Sequence, residues 1–195
     1  MPIRPRRLFR ELASWALFVA ALTTTRASFA DHYRVPTGSM EPTVEPGDHI
    51  VVAKAAYGLR LPLTDRWLVR WSDPAHGDVV VLDSPEDGTV LLKRVVATEG
   101  ELVEVRQGRL SIDGVPVAVD GAGEHLGSSP HAIALGSGGP DLEPVRVPRG
   151  KALVLGDNRG NSRDGRFFGF VATDTIFGRA EGVVARDGGV TWRGL

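Results

Sequence analysis

The chain has 195 residues and 20.9 kDa, with 42% hydrophobic and 24% charged residues; this mixture suits one packed domain with an appendage and excludes wholesale disorder or two full domains. Lys and Arg number 23 against 24 Asp and Glu, so no overall basic field points to nucleic acid. Without cysteine there are no disulfides, thiolate nucleophiles, iron–sulfur clusters or cysteine zinc sites, while Gly 24 and Pro 13 exceed the usual share of about 12% and point to short strands joined by turns.

The first thirty residues differ from the rest. Arg4, Arg6, Arg7 and Arg10 precede an apolar run, Leu12 to Leu22, broken only by Ser14. The run falls short of the roughly 20 residues that cross a bilayer as a helix. Counting Thr23 to Thr25 and letting Arg10 and Arg26 snorkel gives a thin span of about 17. Cations before it predict an inside N-terminus and an outside C-terminus. Ser28-Phe29-Ala30 equally reads as the small-x-small end of a cleaved secretory signal. Both readings carry residues 31–195 across a membrane and differ only in whether the anchor stays.

After residue 35 the chain falls into short β-branched runs between Gly, Pro and Asp. Strands are expected at His49–Lys54, Val79–Leu82 and Val90–Val96. Leu102–Arg106 and Arg109–Ile112 flank Gln107-Gly108 and read as a hairpin. Ala152–Leu155 and Ile176–Ala185 supply closing strands, and no long helical period appears outside the leader. Gly121–Pro140, rich in Gly, Ser and Pro, reads as a mobile surface insertion.

Three stretches break this pattern. Val35-Pro36-Thr37-Gly38-Ser39-Met40-Glu41-Pro42-Thr43 frames a serine with prolines, which suits a rigidly presented nucleophile, although Gly-Ser in such a turn is also simply a turn. In Leu91-Leu92-Lys93-Arg94-Val95-Val96, strand alternation sends Lys93 and Arg94 to opposite faces. Either one cation is desolvated, which would lower a lysine pKa from about 10.4 and make a base, or both reach solvent at an exposed edge. Gly156 to Arg166 is a polar loop directly after an apolar strand; its third position, Arg159, does not suit a calcium loop, and Asp164 with Arg166 reads as a pair. The five histidines show no metal spacing, and a Ser–His–Asp triad stays open on composition.

Taken in order, these boxes resemble bacterial type I signal peptidases, the membrane-bound Ser/Lys-dyad proteases. The likeness runs through the Ser39 box, Pro46-Gly47-Asp48-His49-Ile50-Val51-Val52-Ala53-Lys54 with Tyr57-Gly58, Gly77-Asp78-Val79-Val80-Val81, Lys93-Arg94-Val95-Val96, and Gly156-Asp157-Asn158-Arg159 through Gly169. It implies a mainly β, antiparallel catalytic domain of the signal-peptidase and LexA kind behind an N-terminal transmembrane helix. Ser39 would be the nucleophile, Lys93 the general base and Ser162 the hydroxyl that orients the lysine. Thr37 and the Ser39 N–H would form the oxyanion hole. Asp157, Arg159, Asp164 and Arg166 would support the loop. Val35, Pro36, Met40, Val44, Leu91 and Leu92 would wall pockets for small side chains. Gly160 and Gly165 depart from the usual acidic residue and serine.

The same likeness implies no metal or organic cofactor, and a reaction that cuts exported preproteins after small-x-small sites through an acyl-enzyme. It implies a monomer held by membrane lipid in the bacterial cytoplasmic membrane. Residues 1–10 would be cytoplasmic and 11–30 a retained anchor. Residues 31–195 would form the extracytoplasmic catalytic domain, with an inserted region at about 113–148. A pilin or conjugation-type maturation peptidase, a LexA-like self-cleaving domain and a non-catalytic β-rich binding module are the rival readings.

Overall fold

The computed structural model describes Glu11, Ser14, Trp15 and residues 30–61, 66–186 and 188–195. The proposed anchor at 11–30 lies almost wholly outside the described residues. Among those residues no helix is long and apolar enough to cross a membrane.

The β-branched runs become strands where they were expected, and additional short strands fill the gaps. In chain order the first six are β1 (Ala30–Arg34), β2 (His49–Ala53), β3 (Gly58–Arg60), β4 (Trp67–Arg70), β5 (Val79–Asp83) and β6 (Val90–Ala97). The middle of the chain gives β7 (Leu102–Arg106), β8 (Arg109–Ile112), β9 (Val115–Pro116), β10 (Val119–Asp120), β11 (Gly123–Glu124) and β12 (Leu142–Arg146). The last part supplies β13 (Lys151–Leu155), a single-turn helix α1 (Gly165–Phe168), β14 (Val171–Ala172), β15 (Ile176–Arg186) and β16 (Gly189–Gly194).

The main sheet runs β1-β2-β15-β5-β6-β13-β14, with β16 on the outer part of β15, and its neighbours pair antiparallel. A second sheet, β12-β7-β8-β9, lies apart from it, with two short ribbons, β10-β11 and β3-β4. The hairpin between β7 and β8 has the two-residue turn that its sequence specified: Gln107 and Gly108 both take positive φ, at 50° and 78°. That geometry matches the right-handed twist of the flanking strands.

The main sheet is apolar on both sides of its centre. Val79, Val80, Val81 and Leu82 of β5 are all buried, as the unbroken apolar run requires of a strand covered on both faces. One core cluster joins Val35, Met40 and Val44 to β2, β5 and β15. Another lies between β6, β7 and β13 around Val96, Val103 and Leu155. Complete burial of such side chains contributes about 1.5–3 kcal/mol each relative to leaving them exposed.

The stretch Gly121–Pro140 does not lie wholly at the surface as its composition suggested. It carries β11 and buries Glu124, Leu126 and His131. The Glu124 carboxylate takes Arg159 Nη1 at 2.9 Å, and Arg159 is itself fully buried. Burial works to raise the Glu124 carboxyl, but His131 and Arg159 beside it bring it below the ordinary carboxylate value. Gly and Pro densities reported only how the backbone turns here; the buried acid came from a single residue that no periodicity marks. Glu124→Ala leaves Arg159 buried without its partner, so urea unfolding is expected to show a loss of about 3–5 kcal/mol. A loss within about 0.5 kcal/mol, the range of an exposed substitution, would return the segment to the surface.

Candidate active site

Ser39 sits in a single 3-10 turn, Gly38–Met40, that follows β1 through Val35 and Pro36. Buried Val35 and Met40 anchor the turn on either side of the serine, so the half-buried hydroxyl is presented by residues tied to the core. Lys93 lies in the middle of β6, opposite Val80 of β5, and is only 3% exposed. Its Nζ donates to Ser39 Oγ at 2.8 Å and to the Leu92 carbonyl at 3.0 Å. Burial lowers the amine from its ordinary 10.5 to about 8, against the charges of Asp164 and Asp157, which raise it. In its neutral form the amine can accept the serine proton, and the same contact then runs in reverse. No histidine bonds to Ser39 among the described residues, which closes the triad alternative.

The pair opens onto an apolar cavity of about 430 Å³. Val35, Pro36, Met40, Leu91 and Leu92 line it, joined by Tyr33, Arg34, Ile50, Val81, Thr89 and Val90. Val44 does not; it is wholly buried in the core cluster beneath the turn. The exposed Thr37 also lines the cavity, and its hydroxyl makes no capping bond to the turn. The Ser39 N–H donates to nothing among the described residues. Two donors are therefore uncommitted beside the serine.

Neither Lys93 nor Arg94 reaches solvent. Arg94, 3% exposed, gives Nε and Nη2 to Asp157 at 2.9 and 2.7 Å and Nη1 to the Gly77 carbonyl. Asp157 and Arg159 are not paired with each other through their side chains: Arg94 takes the first and Glu124 the second. Asp164 and Arg166 do pair, at 2.8 Å, and Asp164 also accepts from the Gly156 N–H. Ser162 Oγ is buried against Gly156 but has no hydrogen-bond partner, so the expected bond to Lys93 is absent. A side chain at Gly156 would strike Ser162 Oγ at 2.2 Å and the Ser39 carbonyl at 2.3 Å. Only glycine lets the loop pass this close to the serine turn.

Sequence reasoning singled out Arg94 only as a strand cation without a partner, and missed Glu124 and Asn158. Asn158 donates Nδ2 to the Gly38 carbonyl at 3.0 Å and to Glu41 Oε2 at 3.2 Å, and its backbone N–H to the Ser39 carbonyl at 3.1 Å. Its place next to Asp157 in a dense polar loop was the only available signal.

A hydroxyl against a buried amine, with free N–H and O–H donors beside an apolar cavity, is the equipment of a serine hydrolase that uses lysine in place of histidine. The family described as Signal peptidase, peptidase S26, matches residues 8–185, and the chain belongs to it. Signal peptidase I of Pseudomonas aeruginosa is 35% identical over 161 residues, covering 73% of this chain and 57% of that protein. Signal peptidase I of Pseudomonas fluorescens is 34% identical over 183 residues, covering 80% and 64%. The chain thus spans less than two thirds of these two relatives. The crystal structure of a signal peptidase I from Enterococcus faecalis V583 aligns over 55% of this chain and 97% of that one, at 29% identity and a TM-score of 0.44.

With only three lysines in the chain, the amine can be followed singly. Carbon-13 NMR of reductively methylated protein, assigned by Lys93→Arg, is expected to show Lys93 titrating near pH 8. Titration at the ordinary 10.5 would mean that water reaches the site.

Proposed function

We propose that this chain is a signal peptidase I, a serine endopeptidase that removes signal peptides from exported preproteins by Ser/Lys chemistry. The observation that carries the reading is the 2.8 Å contact between Lys93 Nζ and Ser39 Oγ inside an apolar cavity. At pH 7 roughly a tenth of an amine titrating near pH 8 is neutral, enough to act as a general base.

In this reading Ser39 Oγ bonds to the carbonyl carbon of the peptide while its proton passes to Lys93 Nζ. The carbonyl π pair moves onto oxygen, where the Ser39 N–H and the Thr37 hydroxyl receive it. Collapse of the tetrahedral adduct breaks the C–N bond, and the lysine proton goes to the leaving amine. Water then repeats the sequence on the ester, with Lys93 again the base, and releases the carboxylate and Ser39. The buried Ser162 hydroxyl is the unsatisfied group available to hold the lysine during these transfers. The Arg94–Asp157, Arg159–Glu124 and Arg166–Asp164 pairs keep the loop in place.

Substrate binding follows from an open strand edge. On one side β6 pairs with β5 from Val90 to Arg94; on the other, among the described residues, β13 pairs only from Arg94 onward. Val90, Leu91 and Leu92 are thus left with one unpaired edge beside the cavity, and an extended peptide can add there as a strand. The modest volume and aliphatic lining favour small side chains before the cut.

The cationic leader and apolar run support an N-terminus in the cytoplasm and residues 31–195 outside, and membership of the signal peptidase family supports a retained single-pass anchor.

Ser39→Ala and Lys93→Arg are each expected to abolish cleavage of a preprotein while leaving the circular dichroism of the fold unchanged. Full activity in either variant overturns the dyad. Intact-mass measurement of membrane-purified protein should find a chain beginning at residue 1 or 2; one beginning at Asp31 would mean that the leader is removed.

A further inference from the structure

Of the two free donors beside Ser39, the backbone N–H is the harder to aim, because its direction is set by a peptide plane. In a trans peptide the carbonyl of one residue and the N–H of the next point in opposite directions from one rigid unit. Glu41–Pro42 is the only cis bond among the described residues, so the Gly38–Ser39 unit is trans. Whatever holds the Gly38 carbonyl therefore aims the Ser39 N–H.

Asn158 holds it. The Gly38 oxygen accepts from Asn158 Nδ2 at 3.0 Å and from the Glu41 N–H at 3.2 Å, which occupies both lone pairs. One residue later the Ser39 carbonyl accepts from the Asn158 N–H at 3.1 Å. Two successive carbonyls are thus fixed to the same residue. The side-chain amide is itself oriented by Glu41 Oε2 at 3.2 Å. A flipped amide would set its oxygen against two acceptors. On either side of Asn158, Asp157 is bound by Arg94 and Arg159 by Glu124, all four buried. The residue that grips the serine turn is therefore bolted to β6 on one side and to β11 on the other.

We propose that Asn158 is a positioning residue for acyl transfer, holding the Gly38 and Ser39 carbonyls so that the Ser39 N–H points at the oxygen that becomes negative. Asn158 touches neither substrate nor reacting atoms. Its effect is confined to the transition state, since a neutral substrate carbonyl gains little from a well-aimed donor. The proposal rests on Ser39 being the nucleophile.

The test uses the full-length protein and one preprotein peptide. Asn158→Ala is expected to lower kcat on the order of 10²-fold, as loss of an oxyanion donor does, with KM within about twofold. A peptide boronic acid, whose tetrahedral anion forms on Ser39, should lose affinity by a similar factor. In a Ser39→Ala background, adding Asn158→Ala should leave the Kd of the intact peptide unchanged, because ground-state binding does not use the N–H. Asn158→Asp keeps the size but turns an acceptor toward two acceptors, and should lower kcat at least as far.

Wild-type kcat in Asn158→Ala or Asn158→Asp overturns the proposal. Equal loss of boronate and ground-state binding also overturns it, because the cavity rather than the N–H would then have been lost. The acidic limb of the rate profile should stay near pH 8; its movement toward 10.5 would mean that water had reached Lys93, and the positioning account would fail. The single variant Ser39→Ala separates the two levels of the argument. If it still cleaves, the nucleophile reading itself is wrong. If it is inactive while Asn158→Ala is fully active, only the role of Asn158 falls.

Discussion

The chemistry available to this molecule depends on keeping one amine dry. A lysine in water holds its proton at neutral pH and cannot serve as a base. Lys93 is buried in the middle of a strand whose neighbours are aliphatic, so desolvation disfavours the ammonium and brings it to about 8. Two nearby carboxylates oppose this: Asp164 and Asp157 both pull the value upward. Each is held at hydrogen-bond distance by an arginine, Arg166 and Arg94 respectively. The ion pairs thus limit the field that two bare acids would impose on the base.

Those pairs are poor candidates for sources of net stability. Removing a carboxylate and a guanidinium from water costs nearly as much as their attraction returns. What they fix is position. Arg94 ties the loop to β6, Glu124 ties it to β11, and Arg166 closes it on itself and on the Gly138 and Arg159 carbonyls. Such a network favours one arrangement of the loop, because an alternative leaves buried polar groups unpaired. Ser162 Oγ is one exception, a buried hydroxyl without a hydrogen-bond partner at the point where the loop meets the serine turn; the ring nitrogens of His131, beside Glu124, are another. Strain of that kind is tolerated most readily where a group has work to do.

The sequence made local features legible and concealed distant ones. Strand runs such as Val79–Leu82 and the Gln107-Gly108 turn could be read because periodicity and turn chemistry act over a few residues. Alternation along β6 was enough to show that Lys93 and Arg94 could not share a face. It could not show that both were buried, since that depends on Asp157, 63 residues from Arg94. The Arg159–Glu124 pair spans 35 residues and joins two stretches that each read as loop. Val44 was taken for a pocket wall because an apolar side chain near a site can face the cavity or the core, and only packing decides between them. Ser162 was placed in the right neighbourhood, but its expected bond to Lys93 is absent: reach depends on side-chain geometry that no motif encodes.

Close packing surrounds both glycines of the loop, Gly160 and Gly165, from two different sides. A side chain at Gly160 would meet the Leu135 carbonyl at 2.8 Å and the Ser137 N–H nitrogen at 2.9 Å. Both partners are backbone of the Gly121–Pro140 stretch, which therefore lies where an acidic side chain at 160 would project. At Gly165 the obstruction is Leu153 Cδ1 at 2.6 Å and the Val154 carbonyl at 2.9 Å, so α1 rests directly on β13. Glu124, the carboxylate that pairs with Arg159, is delivered to the loop by the same Gly121–Pro140 stretch. The same packing that forbids a side chain at Gly160 brings that carboxylate within reach, so a side chain introduced at 160 would have to displace the segment that supplies it.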